Sequence, residues 1–247
     1  MQVGRGFAAA YGILHDMRSL TSGRFARREA LGLGLREFAT LRRLDTPQKV
    51  QAFLNGIPAN HEFGGETVLS VREVLRQRRA HCIEGAFLAA CAFWVHGHPP
   101  LVMHLDCDRS DYPHVIALFR RRGHWGAVSK TNGVGLRYRD PIYRSLRELA
   151  MSYMHEYSDK RHRKTLRSYS AAFDLRRLDP ALWVGNEGQC WEAHDRLAGL
   201  RHYPLISRHQ EKLLSTRDAF EREVTKLLQY PRPKHPPPGT LRTARKK

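Results

Sequence analysis

Three residues of this chain combine the types and places that nucleophilic chemistry needs. Cys82 stands where an amphipathic run begins, His114 opens the apolar stretch Val115-Ile-Ala-Leu-Phe119, and Asp140 follows Leu136-Arg-Tyr-Arg and precedes Pro141. A helix start presents unpaired N–H groups and the positive end of the helix dipole, which stabilise a thiolate. A histidine at the near end of a strand can take the thiol proton and return it to a leaving amine. An aspartate closing the next strand can accept the other ring N–H and fix the tautomer. The backbone N–H of Cys82 is one oxyanion donor by this logic and Gln77 a candidate second, while His81 and Glu84 flank the sulfur and can tune its pKa.

The elements that must hold these residues are legible from local signals. Thr46-Pro47, then Val50, Phe53, Leu54 and Gly56, spell a short helix with an N-cap, a first-position proline and a glycine stop. Ser70 and Glu73 form a capping box for a helix running toward Arg79. From Cys82 the apolar residues Ile83, Ala86, Phe87, Ala90 and Trp94 recur at helical spacing, predicting one buried face and an end near Gly97. The period then changes. Leu101 to Leu105, Val115 to Phe119, Trp125 to Ser129 and Gly135 to Tyr138 predict an antiparallel meander, with Asn132-Gly-Val-Gly135 as a hairpin turn. Helical spacing returns at Leu146, Leu149, Ala150, Tyr153 and Tyr157, and again at Leu213, Phe220, Val224 and Leu227. The expected architecture is α+β: a helical region over 1–64, a core over 65–145, a helical region over 146–230 packed on that core, and a tail over 231–247.

His81-Cys82-Ile83-Glu84-Gly85-Ala86 opening a helix, followed by His114 and then Asp140-Pro141, resembles the transglutaminase-like superfamily. The separations, 32 residues from Cys82 to His114 and 26 from His114 to Asp140, resemble it too and are unlike the longer gap of papain-type sequences. The resemblance covers about a third of the chain. It implies a papain-like core, a helix bearing the cysteine packed on a small antiparallel sheet bearing His and Asp. It also implies Cys82 as nucleophile, His114 as general base and acid, and Asp140 as the orienting acid. Many members carry a tryptophan two residues after the histidine, where this chain has Ile116. The implied activity is that of a cysteine peptidase or amidohydrolase cleaving a peptide or isopeptide amide through a Cys82 acyl-enzyme. The alternatives are a protein-glutamine acyltransferase with the same triad and a non-catalytic basic scaffold or nucleic-acid-binding protein.

The charge bears on that last alternative. Lys+Arg 42 against Asp+Glu 24 gives a formal +18, which points to anionic partners. The segment 231–247 holds six basic residues and no acid, and its prolines predict disorder; the core 65–145 is mixed in sign. Nucleic acid bound through the tail is not favoured over the peptide or protein substrate that the resemblance implies. Lys160-Arg-His-Arg-Lys164 and Arg120-Arg-Arg122 are expected to be exposed faces. No secretory signal and no apolar span of ~18 residues is recognisable, so neither a membrane partner nor export is expected and a cytoplasmic protein is. Cys82, Cys91, Cys107 and Cys190 fit no zinc motif and are expected as free thiols. No cofactor or metal is expected, although His104, Asp106, Asp108 and Asp111 near His114 make a divalent-metal cluster the third hypothesis.

Overall fold

The computed structural model describes residues 25–236. The amino-terminal segment and most of the basic tail lie outside this range, and the expectations for them with it. Among the described residues, eight α-helices and seven strands form a mixed α+β fold around one antiparallel sheet.

Helix α1 spans Leu35–Arg43 and α2 Pro47–Asn55, the latter capped by Thr46 Oγ1 accepting from Lys49 N and ended at Gly56. Helix α3, Val71–Gln77, starts at Ser70, whose hydroxyl accepts from Glu73 N, and stops at Arg78, which takes φ +55. It is shorter than the capping signal predicts because that left-handed residue turns the chain toward Cys82. Helix α4, Cys82–Val95, is the spine of the molecule: every residue from Ile83 to Val95 is buried. The expectation of one buried face is corrected, since α1, α2, α3 and the sheet surround α4 on all sides.

Strands β1 (Leu101–Cys107), β2 (His114–Arg121) and β3 (His124–Val128) follow the expected meander, while the fourth strand, expected over Gly135 to Tyr138, lies instead at β4 (Arg139–Tyr143). Arg122 and Gly123, both at positive φ, make the tight β2–β3 turn. Beyond α5 (Leu146–Met151) the expectation of a purely helical region fails. Strands β5 (Leu166–Ser170), β6 (Phe173–Asp174) and β7 (His202–Pro204) complete the sheet in the order β4-β3-β2-β1-β5-β7, with β6 also on β1. These short strands alternate polar with apolar residues beside one another and leave no long apolar run to signal them.

Helix α6 covers Trp191–Ala198, α7 Arg208–Lys212 and α8 Ala219–Thr225. The amphipathic helix expected around Leu213 to Leu227 is thus reduced to the short α8, with α7 ending just before the expected start, and Leu213, Phe220 and Leu227 remain exposed. Two apolar layers sandwich the sheet. Val102, Val115, Ala117 and Phe119 face α4, while Met103, Leu105, Ile116 and Leu118 meet Leu149, Tyr153 and Tyr157 on the other side. This alternation fixes strand register, because a one-residue slip would exchange the layers. The first residues of the expected disordered tail lie on the body: the Arg232 guanidinium sits 4.8 Å over the Phe63 ring.

Candidate thiol site

Cys82 is the first residue of α4, and the residues around it divide into two histidine systems. His81, just before the helix, supplies one. Its backbone N–H donates to Glu84 Oε2 at 2.8 Å, so the carboxylate of the helix's third residue folds back on its own first turn. The His81 ring then spans two partners. Nε2 lies 2.8 Å from the Thr67 carbonyl and 3.2 Å from Glu84 Oε1, while Nδ1 faces Cys82 Sγ at 3.9 Å. Two acceptors at Nε2 require a proton there.

Glu84 has no exposed surface. A buried carboxylate must have donors, and this one has many: Asn60 Nδ2 to both oxygens, Thr67 Oγ1 at 2.9 Å, Leu69 N at 2.9 Å and His81 N. Burial would raise its pKa. The His81 charge, followed by hydrogen bonds from His81 and from the Leu69 and His81 amides, overrides burial and holds it at about 2. Reciprocally, burial depresses His81, and the Glu84 charge beside it outweighs this and raises the imidazole well above its ordinary value. The His81 ring is thus anchored on a buried carboxylate, with Nδ1 turned to the sulfur.

His114, the first residue of β2, supplies the second system. Register pairs Ala117 with Val128, which puts Ser129 across from Ile116 and diagonal to His114 on the same face. His114 Nε2 lies 2.7 Å from Ser129 Oγ, and that hydroxyl donates its one proton to the Leu136 carbonyl at 2.5 Å. Ser129 must accept from Nε2–H, so the neutral ring carries its proton on Nε2 and leaves Nδ1 as the base. Gln51 holds the platform from below, its Oε1 accepting from Ser129 N at 3.0 Å and its Nε2 donating to Ser129 O at 2.8 Å.

Both histidines act on the sulfur. Burial alone would raise the Cys82 thiol, yet hydrogen bonding with His114 and then with His81, reinforced by their charges, holds it well below the ordinary range. The other three cysteines behave oppositely. Burial pushes Cys107 and Cys190 up to about 12 and Cys91 higher still.

The expected orienting acid is corrected. Asp140 is exposed on β4, and β3 separates that strand from β2, an offset of about 10 Å at ordinary strand spacing. Leu136 takes φ +57 and the chain stays irregular up to Tyr138, so the strand begins only at Arg139 and carries Asp140 outside the site. Ser129 stands at the ring nitrogen instead; its signal in the sequence is its place at the end of the strand beside the histidine strand. Gln77 is not free to act as an oxyanion donor, because its Nε2 donates to Glu73 at 2.7 Å and its Oε1 accepts from Arg79 at 2.6 Å.

The metal hypothesis also finds no support in geometry. His104 Nδ1 lies 2.8 Å from His202 Nε2, Asp108 pairs with Arg167 at 2.8 Å, and Asp111 accepts from Thr165. Among the described residues no group of three or more His, Cys, Asp or Glu converges as a metal site. Nor is any of their helices long and apolar enough to cross a membrane. No protein-family model matches the chain, and no curated protein matches it.

Proposed function

We propose that the chain is a thiol enzyme of the transglutaminase-like kind that hydrolyses a peptide or isopeptide amide through an acyl-enzyme on Cys82. The observation that carries this reading is the placement of Cys82 as the first residue of α4 with His81 Nδ1 3.9 Å from its sulfur, and with it the downward shift that His114 and His81 impose on this thiol while burial raises the other three. A cysteine with a purely structural role has no need of either partner.

In the proposed cycle the Cys82 thiolate attacks the carbonyl carbon, and the C=O pair moves to oxygen near the Cys82 amide at the α4 start. His114, holding the thiol proton on Nδ1, delivers it to the leaving nitrogen as the C–N bond breaks. Nδ1 then accepts a proton from water, whose oxygen attacks the thioester and releases the acid and the thiolate. The buried Glu84 supplies the negative charge that a neutral Ser129 does not, and transmits it through His81. His81 and Glu84 hold the thiolate; His114 moves the protons.

The test is acylation by p-nitrophenyl acetate followed by intact-mass and peptide mapping. The expected result is one acetyl group on Cys82 that turns over in water and is absent from Cys82→Ala. Acetylation spread over lysines, with none on Cys82, contradicts the reading. Faster turnover with an added amine than in water would assign the same half-reaction to acyl transfer.

A further inference from the structure

Next to the thiol site, the loop 108–113 and the turn 157–163 enclose a basin of about 490 Å³ lined by Arg109, Tyr112, Asp159, Lys160, Arg161 and Arg163, among others. Ser110 Oγ stands between the two segments, against Asp108 Oδ1 and 3.0 Å from Asp159 Oδ2. The charges in the basin are unequally committed. Asp159 is consumed by Arg163, Ser110 and the Arg161 and Arg163 amides, and Asp111 accepts from Thr165 and the Tyr112 amide. Arg109, Lys160 and Arg161 are exposed, and none has an ion-pair or hydrogen-bond partner for its side chain among the described residues. Three uncommitted cations thus surround one carboxylate paired with Arg163 and one, Asp111, held by neutral donors.

Both walls of the basin run into segments near the site. The loop ends at Pro113 and delivers His114, and the turn starts at Tyr157, a buried phenol that feels the charges of both Cys82 and Asp111. The basin is thus joined to the site through the chain, Tyr112 in its wall lying two residues before His114.

We propose that this basin receives an acidic segment of the substrate, with Arg109, Lys160 and Arg161 binding its carboxylates while the adjoining amide reaches Cys82. This rests on the reading of Cys82 as the nucleophile. A polyphosphate strand is the less suitable occupant, because the basin is short and Asp111, with no cationic partner among the described residues, interrupts a continuous track for phosphates.

Site-resolved alkylation of the full chain tests this without knowing the natural substrate. Second-order rates at Cys82 are compared for iodoacetate, an anion, and iodoacetamide, its neutral counterpart. Replacing Arg109→Gln, Lys160→Gln and Arg161→Gln together should lower the iodoacetate-to-iodoacetamide ratio roughly threefold or more and leave the iodoacetamide rate unchanged. In the native chain about 0.5 M salt should lower the ratio similarly, a control that needs no variant. Hexaglutamate should protect Cys82 from iodoacetate, and less so in the triple variant. A ratio that neither the variant nor salt changes overturns the proposal, as does protection by a single-stranded oligonucleotide with none by hexaglutamate. Failure of the underlying nucleophile reading would show elsewhere, as an ordinary iodoacetamide rate at Cys82 in the native chain.

Discussion

His114 Nε2 and Ser129 Oγ lie 2.7 Å apart, and because Ser129 gives its own proton to Leu136, the direction of the bond is fixed from ring to hydroxyl. In the proposed site a neutral hydroxyl thus stands where a carboxylate is the commoner device. Ser129→Ala should slow alkylation of Cys82 at about pH 6.5 by roughly tenfold, since the ring loses the acceptor that selects its tautomer. Asp140→Ala should leave the rate within about twofold, as an exposed residue two strands away. Comparable losses from both substitutions would return Asp140 to the site.

The His81–Glu84 pair has its own signature in acid. The folded-state pKa of Glu84 is depressed to about 2, so its contribution to stability is present above the unfolded carboxylate value, about 4.3, and is lost as pH falls toward about 2. Glu84→Gln should remove this acid-dependent part of the denaturant midpoint and weaken the reactivity of Cys82 at neutral pH, because His81 would lose its buried counter-charge. A variant that unfolds no more readily than the native chain at pH 6 and alkylates at the native rate would show that the pair does not act on the sulfur.

A second titration runs through the other histidine pair. Burial, followed by the charge of His202, lowers His104 to about 4, against an unfolded value near 6.5. The unfolded chain binds this proton first, so stability should decline as pH falls from about 6.5 to about 4, by up to ~3 kcal/mol for this group. His104→Phe should flatten that part of the curve. Urea midpoints measured across the window decide the matter, and an unchanged slope would contradict the assignment.

Packing beneath the site also makes a prediction. A Cβ on Gly85 would stand too close to Lys130 Cβ to be accommodated, and Lys130 is itself pinned, its Nζ donating to the Leu54 and Ile57 carbonyls at 2.9 and 2.6 Å. Gly85→Ala should therefore cost about 1–3 kcal/mol, read as a lower urea midpoint, by forcing α4 or the Ser129–Lys130 segment to shift. Neutral stability would mean that the fit between α4 and this segment is looser than the geometry indicates.

The sequence made much of this arrangement accessible, and its limits have physical causes. Thr46, Ser70 and Gly56 are local cap and stop signals, so α2 and the start of α3 could be placed from single residues, and β1 to β3 from their apolar runs. Cys82 and His114 lie at element starts, where position itself implies chemistry. Ser129 was obscured because its role depends on register between β2 and β3, which no local pattern encodes. Asp140 misled because Leu136 adopts a left-handed conformation that shifts the next strand beyond it, and β5 to β7 were missed because their strand character comes from pairing with β1 and with one another.

The central claim is that Cys82 is a thiolate held by two histidines, and the pH dependence of site-resolved iodoacetamide alkylation tests it most directly. Cys82 should titrate well below the ordinary thiol value of about 8.5 and react fully near neutrality, while Cys91, Cys107 and Cys190 stay unmodified in the folded chain. His114→Ala and Glu84→Gln should each move that titration upward. A Cys82 profile centred near 8.5, unmoved by either substitution, would contradict the account.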